Sequence, residues 1–361
     1  MDANVRDAPD ASQVEAATFD GAPPMDAARA DAAVVSDVAR GDSVALDVVS
    51  KVDSGAAADV PVESAVDVPS DRAAGLDAGA ATDAGADGSV APRWTNIGSG
   101  VSWNIVDGIA FSDGDVWVVG AGGALHFDGS RWSGTDGIGV DRPSGIWGTD
   151  AAHLWTVTVE GNVLRWSGTV WTPVATGLRG SFQAIGGSSD HDVWVAGDAG
   201  FVAHFDGAAW TAVSSGVTTL LHAAVALRPD LAFMAGSGGT IVRWDGTALR
   251  TMDATTTAGI NGLWATSATD VWAVCGGGVI LRYDGSAWRT VASPTSQGLY
   301  AAWGGAANDV WAVGFAGTVL RWDGGRWTLQ SPPTAQPLLT VFGARDTVWI
   351  AGNGGTLARW P

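Results

Sequence analysis

Residues 93–361 contain a single glutamate, Glu160, which stands 38 positions before Asp198 in a corresponding glycine-flanked turn. Two carboxylates placed across a glycosidic bond are what glycoside hydrolysis needs, one as proton donor and the other as base or nucleophile. Glu160 and Asp198 are therefore the catalytic candidates for a polysaccharide hydrolase or lyase. Other chemistries are served less well. A sialidase-like centre needs an arginine triad and a Tyr–Glu pair, but the two tyrosines, Tyr283 and Tyr300, have no glutamate in their neighbourhood. His222 with a serine lacks a placed acid to orient it as a base. Asp113-Gly114-Asp115 and Asp190-His191-Asp192 have a D-x-D spacing, without the remaining ligands of a calcium loop. The one cysteine, Cys275, excludes an intrachain disulfide and any CxxC site. It reads as a small buried thiol. These residues imply no cofactor and no metal.

The elements that carry these groups repeat. A first aromatic series runs Trp117, Trp155, Trp194, Phe233, Trp272, Trp311 and Trp349, in steps of 38 or 39 residues. A second runs Phe127, Trp166, Phe205, Trp244, Tyr283, Trp322 and Trp360. A third runs Trp94, Trp132, Trp171, Trp210, Leu249, Trp288 and Trp327. Within one period, four short apolar runs are separated by Gly, Asp or Ser, which is strand punctuation. In the sixth copy they are Leu299–Trp303, Asp309–Gly314, Gly317–Asp323 and Arg326–Leu329. Four strands in about 40 residues predict an all-β, seven-bladed β-propeller.

The ends of the pattern predict how the ring closes. The last copy stops at Trp360-Pro361 without its fourth strand, and Arg93-Trp94-Thr95 matches Arg326-Trp327-Thr328. The N-terminal strand is expected to complete the last blade. Nineteen of the 20 tryptophans occupy repeat positions, where large aromatics supply packing area between blades. A glycine recurs in every second turn (Gly123, Gly161, Gly200, Gly239, Gly278, Gly317, Gly355) and predicts a positive φ in a tight hairpin. Small residues in the first strand (Gly145, Ala184, Ala223, Gly262, Ala301) suit crowding near the axis.

The units DVWAVG, GTVLRWDG and RWT resemble those of bacterial BNR and Ycf48-like propellers and repeat arrays of exported proteins. The turn from Asp323 to Trp327 is similar to an Asp box, lacking its serine and one residue of spacing; Trp244-Asp245 and Trp322-Asp323 resemble the end of a WD40 repeat without its Gly-His dipeptide. The resemblance implies a propeller and, through the Ycf48-like members, an assembly-factor scaffold as one possible role.

Residues 1–92 have a different composition. They hold 18 acids against five basic residues, one aromatic (Phe19) and no tryptophan, whereas 93–361 has a net charge of only −6. Low hydrophobicity and like charge cannot offset chain entropy, so 1–92 reads as a disordered Ala/Asp-rich tether. It resembles the linkers that follow the lipid-attachment cysteine of exported lipoproteins, which implies an extracellular or cell-envelope location. The first residues have no signal-peptide pattern. A net charge of −19 excludes the basic footprint of nucleic-acid binding, and no apolar run of about 18 residues could span a bilayer.

Where the copies differ, function is expected. The loops of one propeller face hold Trp103, Asp141, Arg142, Glu160, Arg179, Asp198, Phe315 and Asn353. One slot at the start of the first strand holds Ser144, Gln183, His222, Asn261, Tyr300 and Leu339. Trp103 is the only tryptophan off the repeat and, with Phe315, offers an aromatic platform or a cap on the closure. The third strand carries a cationic series: His126, Arg165, His204, Arg243, Arg282, Arg321 and Arg359. It reads as an anion-binding ring or as partners for the aspartates that open four second strands. Taken together, the sequence points to a monomeric, non-catalytic binding or scaffold module that recognises a protein or glycan on that face.

Overall fold

The second strand of each repeat is apolar on both faces, as in Asp192–Gly197, where every residue is buried. A strand with no polar face needs cover on both sides, and neighbouring blades supply it. In the computed structural model, which describes residues 93–361, seven four-stranded antiparallel sheets stand side by side in a ring. The proposed tether, 1–92, lies outside the described residues. In the sixth blade the strands are Leu299–Ala306, Asp309–Gly314, Val319–Trp322 and Trp327–Leu329. The first strand is longer than its apolar run suggested, because backbone pairing continues to Ala306↔Asp309. The third starts later, because Phe315–Gly317 is taken up by the turn.

Closure follows the predicted route. Thr95–Asn96 pairs with the last strand, Thr95 opposite Arg359 and Asn96 opposite Ala358. The amide of Ile97 continues the ladder to the Leu357 carbonyl at 2.9 Å, and Ser99 Oγ donates to the Gly355 carbonyl at 2.8 Å. The ring of Trp94 sits 5.5 Å from Trp311 and 5.4 Å from Trp360.

The same device holds each blade to the next. The second-strand aromatic of one blade reaches the third- and fourth-strand aromatics of its neighbour, except that Trp194 meets Trp244 alone because Leu249 takes the fourth-strand position there. Trp117 meets Trp166 and Trp171, Trp272 meets Trp322 and Trp327, and Trp349 meets Phe127 and Trp132 across the closure. Most of these contacts are edge-on or tilted, the arrangement that ring quadrupoles favour.

All seven turn glycines have positive φ, from 72° at Gly200 to 110° at Gly123. In the third blade Ala199 (φ 53°) and Gly200 form a type I′ turn closed by the Phe201 amide on the Asp198 carbonyl at 2.9 Å. Gly317 has a second reason to be glycine: a Cβ there would lie 2.0 Å from the Thr334 carbonyl oxygen. The missing side chain lets the loop between blades rest on the hairpin, which assembles one face of the ring, here the upper face.

Candidate functional site

The first strand of every blade lines the central channel, a cavity of about 460 Å³. Each of these strands carries a register shift at its second residue, for example between Ile105 and Asp107 and between Leu299 and Ala301. A β-bulge re-aims the residue it inserts. The bulged residues are Val106, Ser144, Gln183, His222, Asn261, Tyr300 and Leu339, so the predicted variable slot is a ring of side chains at the upper mouth, all lining the cavity. Two of them stitch neighbouring blades. Ser144 Oγ donates to the Phe182 carbonyl at 2.7 Å, and Asn261 Nδ2 to the Leu299 carbonyl at 2.7 Å. Gln183 Nε2 reaches Ser181 Oγ at 3.2 Å.

His222 Nε2 lies 3.1 Å from Ser237 Oγ, in the hairpin of its own blade. Burial lowers the imidazole pKa, and the charge of Asp198 on the neighbouring hairpin only partly opposes that. The ring is therefore neutral at pH 7. Ser237 was not singled out from sequence; it occupies the turn position that holds Asp198, Phe315 and Asn353 in other blades.

The paired-carboxylate candidates stand in different environments. Glu160 Oε2 accepts the Arg142 amide at 2.9 Å, and Oε1 accepts Arg142 Nε at 2.8 Å. Burial pushes the Glu160 carboxyl up, but these two donors outweigh it and hold it below the usual range. A general acid needs the opposite shift. Arg142 is thereby a loop staple, and Asp141 makes a second one, accepting Asn162 Nδ2 at 2.9 Å. Asp198 is exposed, as is Arg179, which has no ion-pair partner among the described residues.

Trp103 lies across Gly120 and Gly122 of the first hairpin; a Cβ on Gly122 would come within 2.1 Å of its Nε1. This tryptophan is partly buried against the adjoining core. Phe315 is different: half of its surface is exposed at 50%, at the tip of the sixth hairpin. Asn353 is half-buried, and the next amide, Gly354 N, donates to Asn104 Oδ1 at 3.0 Å across the closure.

The cationic series lies between strands, away from the mouth. His126 pairs with Asp115 at 2.9 Å and His204 with Asp192 at 2.7 Å; Arg282–Asp270 and Arg321–Asp309 are both 2.7 Å. Arg359 reaches Asp113 of the next blade at 3.2 Å. The same cations cover aromatic faces: His204 stacks on Trp194 at 4.1 Å and Arg321 lies 4.9 Å over Trp311. Six of the seven are thus held by pairing, stacking or both, Arg165 by stacking over Trp155 alone, whereas the buried Arg243 Nε has no hydrogen-bond partner among the described residues. Both D-x-D pairs are spent on these contacts and on Thr149 Oγ1, which donates to Asp190 at 2.7 Å. Cys275 is fully buried, and burial pushes its thiol up to about 12.

Sequence reasoning missed Asp107. It occupies the small-residue column of the first strand, where other blades have Gly145, Ala184, Ala223, Gly262, Ala301 and Thr340. Its Oδ1 accepts the Gly108 amide at 2.8 Å and Thr340 Oγ1 at 3.2 Å; its Oδ2 accepts the Ile146 amide at 3.0 Å. Desolvation in the channel outweighs these donors and pushes its pKa up to about 6. The available signal was an acid in a column of Gly and Ala.

Comparison with solved structures places the ring among known propellers. It is similar to Ycf48 bound to a D1 peptide (20% identity, TM-score 0.61), over 74% of this chain and 94% of that one. It is also similar to Ycf48 from Cyanidioschyzon merolae (17%, TM-score 0.61; 74% and 98%) and to the WD40 propeller of Doa1 (13%, TM-score 0.64; 72% and 93%). The ring is thus Ycf48-like in fold. No family model matches the chain, and no curated protein matches it.

Proposed function

We propose that the chain is a protein-recognition module that binds an extended peptide segment across the upper face of the propeller. The observation that carries this reading is the upper mouth itself. Seven bulges present a non-repeating set of side chains around an open cavity, beside the exposed ring of Phe315. A rigid scaffold with varied residues at one rim is the usual layout of a binding surface. The peptide held by the Ycf48 neighbour supports the same reading. Glu160 is already neutralised by Arg142, which favours binding over hydrolysis at this face.

The test is selection of a displayed library of random peptides on the full chain, followed by titration of the recovered peptides against Phe315→Ala and Tyr300→Ala. Weakening of about tenfold or more with an unchanged melting temperature supports the site; a large part of interface energy commonly rests on a few aromatic anchors. Recovery of no peptide, or unaltered affinity in both variants, overturns it. A glycan array run in parallel separates a sugar ligand from a peptide one, with Phe315 as the stacking platform in that case. We also propose that the module works as a monomer outside the cytoplasm, a reading that rests on the acidic composition of 1–92. Cell fractionation of the full-length gene product checks it: recovery only in the cytosol overturns it.

A further inference from the structure

Among the described residues, Asp107 is the one carboxylate on the wall of the central channel, and no Arg or Lys shares that wall. The other titratable groups there are His222, which burial holds neutral, and Tyr300. At neutral pH the cavity therefore carries an uncompensated negative charge. Every partner of the Asp107 carboxylate is a neutral donor: two backbone amides and one threonine hydroxyl. Two of these act on Oδ1 and one on Oδ2. A carboxylate has about four lone-pair sites, so one remains free, on Oδ2. Five of the other six blades fill the same position with Gly or Ala, and the seventh with Thr340, so the fold does not require an acid here.

The surroundings select the kind of cation. A calcium ion takes six to eight oxygen ligands, and no group of three or more metal-ligating side chains occurs among the described residues. Besides the polar side chains of Ser144, Gln183, Asn261 and Thr340, the wall holds apolar and aromatic residues, including Ile109, Trp147, Trp264 and Trp303. Such a wall suits an aliphatic stem, and aromatic faces near a cation add attraction. A monovalent ammonium needs one good acceptor and can share it with water. A volume of about 460 Å³ accepts a four-carbon chain with solvent to spare.

We propose that the central channel is a binding well for a primary ammonium group on an aliphatic stem, the side chain of a lysine in a partner peptide, with Asp107 as its counter-ion. This deepens the peptide-binding reading and rests on it for the source of the lysine. The peptide would cross the mouth past Tyr300 and Asn261 and send one side chain down the axis. Asp107 acts as a specificity residue, separating basic side chains from neutral ones of the same length.

The experiment uses the full chain and a probe smaller than a peptide. Binding of n-butylammonium chloride is followed by ligand-observed NMR, with n-butanol as the uncharged control. Asp107→Asn keeps the shape and removes the charge. Asp107→Ala installs the residue that native blades carry at Ala184, Ala223 and Ala301, so a folded variant is available even if the amide is not tolerated. The expected result is saturable binding of the ammonium by the wild type, weakened about 10- to 100-fold in both variants, with no matching binding of n-butanol. Equal binding by all three proteins, or no saturable binding by the wild type, overturns the proposal. The two readings fail separately. Selected peptides that lack a basic residue and bind Asp107→Ala as well as wild type remove the ammonium well and leave the upper-face site. Asp107-dependent butylammonium binding with no peptide recovered does the reverse.

Discussion

The walls between blades and the wall of the channel are built from the same seven repeats, yet they obey opposite rules. Between blades, every copy places an aromatic against aromatics of the next, and the cation beside it is paired, stacked or both in most copies. Along the channel, the residue brought forward by the bulge changes from blade to blade: serine, glutamine, histidine, asparagine, tyrosine. Repetition marks where the ring needs a fixed spacing, and variation marks where the fold accepts several side chains. The one acid in the small-residue column stands out because the other blades put Gly, Ala or Thr there.

The largest perturbation should come from the repetitive side. Trp311 is fully buried against Trp94 and Trp360 at the closure. Trp311→Ala should cost about 3–5 kcal/mol in urea unfolding. A loss below about 1 kcal/mol would mean that the aromatic contacts do not hold the blades. Next is Asp192, buried and accepting from Trp194, His204 and Ser188. Asp192→Ala should cost about 1.5–3 kcal/mol and leave three donors without their acceptor. Burial raises the Asp192 carboxyl, but its donors outweigh that and hold it low. Its contribution is therefore present at neutral pH and fades as the pH falls through its depressed folded value.

The channel should show the reverse sign. Asp107 moves up, from 3.8 to about 6, so the folded protein holds this proton more tightly than the unfolded chain does. Stability linked to this group is present below pH 4 and is lost as the pH rises toward 6. Unfolding curves at pH 4 and pH 7.5 should show the wild type losing about 1–3 kcal/mol relative to Asp107→Ala across that interval. A constant difference between the two proteins would show that the carboxyl is not desolvated. The smallest effect belongs to Phe315: at an exposed turn, Phe315→Ala should shift stability by no more than about 0.5 kcal/mol. A larger shift in thermal unfolding would make it a packing residue and blur the contrast.

The repetitive wall was the legible part. Three aromatic series and seven glycines are each fixed by local chemistry, so the blade count, the strand order and the closing strand follow from spacing. The bulge was hidden because it comes from the fit of one strand edge to its neighbours, and no residue type marks it. The slot of Ser144, Asn261 and Tyr300 near the channel mouth could be read, but not the bulge that presents it there. Arg142 and Glu160 could be placed on the same face, but their pairing depends on how a loop folds back over a hairpin. Trp103 was left between two roles; that it would lie over Gly120 and Gly122 of the first hairpin depends on side-chain packing that spacing does not encode.

The short clasp at Thr95–Asn96 also has a mechanical side. The chain enters at Arg93, beside its own last residues, on the rim opposite the varied mouth. Tension applied there does not shear a long ladder. It meets the bonds of Thr95, Asn96 and Ile97 one after another, with the wedged indole of Trp94 at the start of the line. Pulled between Arg93 and Trp360, the ring is expected to open first at the seventh blade, with the other six still hydrogen-bonded within themselves.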